Sequence, residues 1–337
     1  MRKGIYAAGN WIIDDIKIID EYPHQDGLTN VRAIKSNNGG APYNVLKDLS
    51  FLKASFPLYG AGLVGDDEKG QHIIQDITKC GVDISNLHTL KNVPTSYTDV
   101  MTVAHTGRRT FFHNRGANAL FGKDELKLDN NAKIFHMAYL LLLDQMDEID
   151  EAGRSEASYV FEEAQKRGFL TSTDIVSEAS DRFQKVAPPS LPFINYLFVN
   201  EYEASRLTDV EMVENDKIDF DKAYTVVDRI IDFGVQDYVI LHFPEGAIAC
   251  DSNKQKFVCP SINIPKDMIK GTAGAGDAFA AGVLFGLHEN QPIMDCLKIG
   301  ACTAASSLFD ESCSDGVKSL DDVVKLEEEY GLKTLQV

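Results

Sequence analysis

The sequence predicts an α/β fold: three α/β/α layers around a mostly parallel central sheet, with a small β-sheet lid. Three observations carry this expectation. From Lys133 onward, strand-like and helical segments alternate, the pattern of a parallel sheet with helices on both faces. Two earlier stretches hold strand signals only and suggest a small sheet over one end of the main one. Near the C-terminus, Gly271-Thr-Ala-Gly-Ala-Gly-Asp277 opens an almost wholly apolar segment that reads as a buried helix.

Taken in order, residues 4–9 form a short apolar strand ending in Gly9-Asn10. Residues 11–20 mix isoleucines with acids, and residues 31–36 follow after a turn; both read as strands of an exposed sheet. Asn37-Asn-Gly-Gly40 breaks the chain. A helix follows, with Val45, Leu46, Leu49 and Leu52 at helical spacing. Residues 56–64 are a strand, and 70–80 a helix ended by Gly81. Residues 95–105 and 109–113 flank Thr106-Gly107 as a hairpin. Then come strands at 133–139, 169–175 and 193–199, and helices at 155–167 and 220–233. Strands at 238–242 and 247–250 surround Pro244-Glu-Gly246. The last third is helical, at 276–289, 293–309 and 320–330. The expected organisation is one domain over residues 1–337, its lid built from about 11–38 and 94–115. Ligands of such sheets bind beyond the carboxyl ends of the strands.

Composition narrows the function classes. The chain has 337 residues, with 51 acids against 33 bases and a formal charge of −18. So acidic a chain, without a basic run, is not expected to bind nucleic acid or anionic membranes. Its cysteines (Cys80, Cys250, Cys259, Cys296, Cys302 and Cys313) form no C-x-x-C pair and read as reduced, mostly buried thiols. The opening Met1-Arg-Lys-Gly leads into a strand-like run rather than a signal peptide. The apolar stretch near 137–143 is too short to span a bilayer. A cytoplasmic protein is expected.

Four clusters carry candidate chemistry. In the 271–277 loop, free amides at a helix start make an anion cradle, with the helix dipole adding to it. Backbone donors at Gly274, Ala275 and Gly276 would serve a transferring phosphoryl group, each worth ~3–4 kcal/mol in the transition state. Asp277 would take the proton of an attacking hydroxyl. The plain alternative is a glycine-rich helix start that happens to carry an acid. No Walker lysine is present, so a P-loop is not supported. The second cluster is Gly39-Gly40 with Asn44 on the next helix, an amide suited to vicinal hydroxyls or simply a loop before a helix. The third is Asp14, an acid beyond a strand end that could accept two sugar hydroxyls. The fourth is Asn200 with Glu203, three residues apart at a strand–helix junction. These two could hold the water shell of Mg²⁺, or simply close a capping box.

In this order the clusters resemble the ribokinase-like, or PfkB, family of carbohydrate kinases. Gly39-Gly40, Asn44, the 58–65 strand with Asp66 and Gly70 look like the family's N-terminal signature. Gly274-Ala-Gly-Asp277-Ala-Phe looks like the C-terminal one, and the 106–118 stretch resembles the lid hairpin and substrate loop of its sugar kinases. The resemblance implies a ribokinase-like fold and ATP-dependent phosphorylation of a sugar or sugar-like small molecule. It makes Asp277 the base and the 274–276 amides the anion hole. Asp14, Gly39, Gly40 and Asn44 would hold the sugar, with Arg115 on a charged or ring substituent. Asn200 and Glu203 would organise Mg²⁺ and phosphates, through water, and Gly246 would line the ATP site. A nucleoside kinase of the same family and a non-catalytic sugar or nucleotide sensor are the competing expectations. A homodimer through the lid is the further expectation. Two departures stand out. Gly271 replaces the family's usual acid, so monovalent-cation support is not expected. Leu241-His-Phe-Pro-Glu-Gly246 replaces Thr-x-Gly-x-x-Gly, so nucleotide contacts there must differ.

Overall fold

The structure, a computed structural model, describes residues 2–215 and 217–335. β1 (Ile5–Gly9) starts the central sheet, and β2 (Ile12–Ile19) and β3 (Val31–Gly39) leave it for the lid. α1 (Ala41–Phe51), β4 (Leu58–Gly65), α2 (Glu68–Lys79) and β5 (Asp83–Leu90) return to it. β6 (Tyr97–Val103) and β7 (Arg109–Asn114) complete the lid. β8 (Ile134–Leu140), α3 (Glu156–Lys166), β9 (Leu170–Ile175), α4 (Phe183–Val186), β10 (Tyr196–Asn200) and α5 (Glu201–Thr208) then alternate. After the ribbon β11 (Val213–Glu214) and β12 (Lys217–Ile218) comes α6 (Phe220–Asp232). β13 (Tyr238–Phe243), β14 (Gly246–Asp251) and β15 (Lys256–Pro260) follow. α7 (Ala275–His288), α8 (Ile293–Ser307), α9 (Leu320–Val323) and α10 (Lys325–Tyr330) end the described chain.

The central sheet runs β15-β14-β13-β10-β9-β8-β1-β4-β5. All neighbours from β5 to β13 are parallel, and β14 and β15 add an antiparallel edge. One apolar cluster joins Val45, Ile73, Leu284 and Leu297 to one face of the sheet. A second joins Phe161, Leu207 and Val227 to the other. α1, α2, α7 and α8 thus cover one face, and α3, α5 and α6 the other. α6 illustrates the local logic. Ala223, Val226, Val227, Ile230 and Ile231 recur at helical spacing and are buried. The Asp219 side chain caps the helix by accepting from Lys222 N at 3.2 Å. α7 is buried nearly all round, in keeping with its apolar sequence.

The lid is a separate sheet, β3-β2-β6-β7. Its register sets Asn37 opposite Asp14, Asp14 opposite Thr98, and Thr98 opposite His113. In-register partners share a face of a sheet, so these four look the same way. Its root is pinned at Trp11, whose indole N–H donates to Ala61 O at 2.8 Å.

Some boundaries differ from the sequence reading. Asn37–Gly39 continue β3, and the break falls at Gly40, whose φ is +93°. A Cβ there would sit 2.0 Å from Asn10 O, so only glycine fits. β5 and β15 are edge strands that the pattern did not reveal. The expected 320–330 helix is two helices separated at Val324. All six cysteines are free, and all but Cys80 are buried. Among the described residues, no helix is long and apolar enough to cross a membrane.

Candidate active site

α7 begins beside the carboxyl ends of β8 and β13, where Tyr139 bonds Asp277 and His242 lies against Gly276. Gly274 caps α7 with φ +76°, and a Cβ on it would lie 2.5 Å from Cys313 O. Both facts demand glycine. The helix ladder begins with Ala278 N donating to Gly274 O at 2.8 Å. The amides just ahead of it, at Gly274–Asp277, are the ones a helix start leaves without an intrahelical acceptor.

Asp277 stands in the first turn of α7 and is buried. Asn44 Nδ2, on the first turns of α1, donates to its Oδ2 at 2.7 Å. Tyr139 Oη donates to Oδ1 at 2.7 Å and to Oδ2 at 2.9 Å. Burial pushes the Asp277 carboxyl above its ordinary range, while the bonds from Asn44 and Tyr139 pull it back down. A carboxylate has room for about four donors, so Oδ1 keeps a free lone pair. Tyr139 itself is held by Asn10, whose Oδ1 accepts from Tyr139 N at 2.8 Å. Burial and the neighbouring Asp277 charge drive the phenol's pKa far up, so it remains a donor.

Asp14 lies on β2, beside the same centre. A Cβ on Gly39 would sit 2.6 Å from Asp14 Oδ2, so Gly39 leaves that oxygen its space. Burial pushes the Asp14 carboxyl up to about 6, Thr98 holds it down, and the Asp277 charge adds to the rise. His113 Nδ1 lies 3.0 Å from Thr98 Oγ1 and extends this lid face. One turn beyond Asn44, Asp48 is fully buried, and neither of its carboxyl oxygens has a partner among the described residues. Asp14, Gly39, Gly40, Asn44, Asp277 and Gly274–Gly276 are thus one cluster, assembled from both ends of the chain.

Arg115 is at the rim. It pairs with Asp144 at 3.1 Å and Glu178 at 3.6 Å, and it donates to Leu141 O at 3.3 Å. Asn200 and Glu203 form the capping box of α5. Asn200 Oδ1 accepts from Glu203 N at 2.9 Å, and Glu203 Oε2 from Asn200 N at 2.8 Å. The helix start explains their spacing in full, yet the site has a further feature. Burial drives up the carboxyl of Glu203, to about 8, and that of Asp174 near the end of β9. The Asp174 rise also carries the charges of Glu203 and Asp277. Two buried acids, one of them raised by the other's charge, favour a nearby cation. Among the described residues, no three His, Cys, Asp or Glu side chains converge on one point as direct ligands. Asn200, Glu203 and Asp174 offer oxygen donors, the chemistry to which a hydrated Mg²⁺ is suited.

Beside the anion cradle opens a cavity of about 370 Å³ between the β13–β14 turn, α7 and α8. Its walls are mainly apolar, including Ile262, Phe279, Ala305 and Leu308. Gly246, Ala275 and Gly276 also line it. An apolar slot with amides at one end suits a nucleotide base leading to its phosphates.

The family model for "pfkB family carbohydrate kinase" matches residues 8–320. The chain belongs to the pfkB family of carbohydrate kinases. It is accordingly an ATP-dependent carbohydrate kinase by class. Adenosine kinase 2 of Arabidopsis thaliana is 26% identical over 323 residues, covering 90% of this chain and 86% of that protein. The ATP-dependent ribose-1-phosphate kinase of Halopiger xanaduensis is 27% identical over 83% of each chain. The fold matches Arabidopsis thaliana ribokinase complexed with ribose and ATP at a TM-score of 0.78 and 21% identity. That match covers 97% of this chain and 99% of the ribokinase. The pfkB chain described here thus has the ribokinase fold, with the lid expected from its two strand-only stretches.

Sequence reasoning missed Tyr139, Thr98, His113, Asp48 and Asp174 as parts of the site. Tyr139 stands near the end of an apolar run and Asp174 after Thr171-Ser-Thr173, and both segments read as ordinary strands. The one available signal was position, since both stand at carboxyl ends of parallel strands.

Proposed function

We propose that this pfkB kinase transfers the γ-phosphoryl group of ATP to a primary hydroxyl of a sugar or sugar-like acceptor. The observation that carries the proposal is the Asp277 carboxylate, held by Asn44 and Tyr139 next to the helix-start amides of Gly274–Gly276. The acceptor's vicinal hydroxyls lie against Asp14 and Asn44, in the space kept by Gly39 and Gly40. Asp277 accepts the proton as the acceptor oxygen attacks the γ-phosphorus. The bond from that phosphorus to the bridging oxygen of ADP breaks in the same transfer. The amides of Gly274, Ala275 and Gly276 receive the negative charge that spreads over the transferring group. Arg115, at the rim, meets a substituent beyond the reacting part of the acceptor.

Mg²⁺, when bound with ATP, neutralises polyphosphate charge. Asn200, Glu203 and Asp174 would hold its water shell, and its charge would keep both acids ionised. Gly246 borders the nucleotide cavity. The lid face bearing Asp14, Thr98 and His113 excludes water that would otherwise compete as acceptor.

The adenosine kinase relative favours a second reading, a nucleoside acceptor whose ribose meets the same polar side. Against it stands the polar lid face, which offers hydroxyl and imidazole groups rather than a slot for a base. A screen of sugars, sugar acids and nucleosides with MgATP, read as ADP release, decides. Turnover of a sugar or sugar acid supports the proposal, and turnover of nucleosides alone supports the second reading. Binding without turnover across the whole screen contradicts both.

A further inference from the structure

His242, near the end of β13, lines the nucleotide cavity together with Ala275 and Gly276. Its ring packs against Phe279 of α7 with 5.5 Å between centroids. A Cβ on Gly276 would lie 3.2 Å from His242 Cε1, so the imidazole lies close against the anion cradle. Burial alone holds its pKa down, to about 4, with no hydrogen bond or charge contributing. The ring is partly exposed to the cavity and makes no side-chain hydrogen bond among the described residues. A ring nitrogen open to the cavity and close to the helix-start amides is placed to bond a ligand that spans the two.

We propose that His242 is a nucleotide-binding residue, whose ring nitrogen bonds the donor's polyphosphate where it passes from the cavity to the Gly274–Gly276 amides. This rests on the kinase reading above and adds a residue to it. Polyphosphate charge beside the ring favours the imidazolium, so nucleotide binding should draw a proton onto His242. The charged or titratable groups around the ring set the background for that uptake. They are Glu201 at the start of α5, Cys259 on β15 and Lys333, all lining the cavity, and none of them shifts the pKa of the ring.

The test uses the full-length enzyme and two variants. His242→Phe keeps the ring packed on Phe279 and removes both nitrogens, while His242→Asn keeps a donor in a smaller side chain. ATP and ADP binding are titrated calorimetrically in two buffers of different protonation enthalpy, and KM is measured for ATP and for the acceptor. Expected is a 10- to 100-fold weaker ATP affinity in His242→Phe, the scale of one hydrogen bond to a charged group. Asn should lose less, the acceptor KM should stay within about twofold, and proton uptake should disappear in both variants. Melting temperatures near that of the parent exclude a folding defect. Unchanged ATP affinity and unchanged proton uptake in a folded His242→Phe overturn the assignment while leaving the kinase reading intact. Absence of any ATP binding by the parent protein overturns both.

Discussion

Replacing Tyr139 by phenylalanine removes one hydroxyl and both of its bonds to Asp277, at 2.7 and 2.9 Å. A hydrogen bond to a charged group contributes about 1.5–3 kcal/mol net. One pKa unit corresponds to about 1.36 kcal/mol, so the loss translates into an upward move of about 1–2 units at Asp277. The direction follows from the folded environment. Burial already lifts this carboxyl above its ordinary range, and the Asn44 and Tyr139 bonds hold it down. Removing one of them leaves burial less opposed. The ionised carboxylate is the base, so turnover is lost as pH falls through the folded pKa. In Tyr139→Phe the acid limb of kcat/KM should therefore shift upward by about 1–2 pH units, with much of the high-pH rate retained. The assay is ADP release at saturating MgATP across pH, with a melting curve at each point to confirm folding. An acid limb that stays in place or moves downward in a folded variant would refute the role given to Tyr139.

Other predictions concern the surrounding residues. Asp48 is fully buried, and burial holds its carboxyl well above the ordinary range. A group whose folded pKa is raised favours the fold at low pH and loses that contribution as pH rises toward the folded value. Asp48→Asn should therefore raise the melting temperature at pH 8, by the equivalent of roughly 1–3 kcal/mol. The gain should shrink toward pH 4, and a lower melting temperature at pH 8 would contradict this. A Cβ on Gly271 would lie 2.8 Å from Asp310 O, which leaves no room for an acidic side chain beside the anion cradle. Exchanging Na⁺ for K⁺ should then alter kcat by less than about twofold, and several-fold activation would show a cation site built from other groups. His242→Phe should weaken ATP affinity 10- to 100-fold without changing the acceptor KM.

The site's two signature loops were legible because their chemistry is local. Gly274 and Asp277 stand three residues apart, and the apolar run behind them marks a buried helix. Gly39, Gly40 and Asn44 share one loop and helix start. What the sequence hid is what depends on distant pairing. Tyr139 and Asp277 lie 138 positions apart, and the phenol's role exists only once β8 and α7 meet. Asp174 gains meaning only beside Glu203, across two strands. Asn200 and Glu203 carried two readings because a three-residue spacing serves a capping box and a cation site equally. The fold closes the box and adds the second acid that keeps the cation reading alive. In the fold, alternation exposed the parallel core strands, whose neighbours are buried on both sides. The edge strands escaped. β5 alternates polar and half-covered residues, and β15 is five residues long and ends in Pro260. A break at a single residue, Val324, leaves apolar spacing almost unchanged, so 320–330 read as one helix.

The central claim is that Asp277 removes the proton from the acceptor hydroxyl. Turnover of Asp277→Asn, measured with MgATP and the acceptor identified by the substrate screen, tests it most directly. Asparagine keeps the size of the side chain and its place beside Asn44 and Tyr139, and removes the basic oxygen. Binding of ATP and acceptor should persist while kcat falls by at least ~10²–10⁴-fold. A folded Asp277→Asn that turns over near the parent rate would contradict the claim.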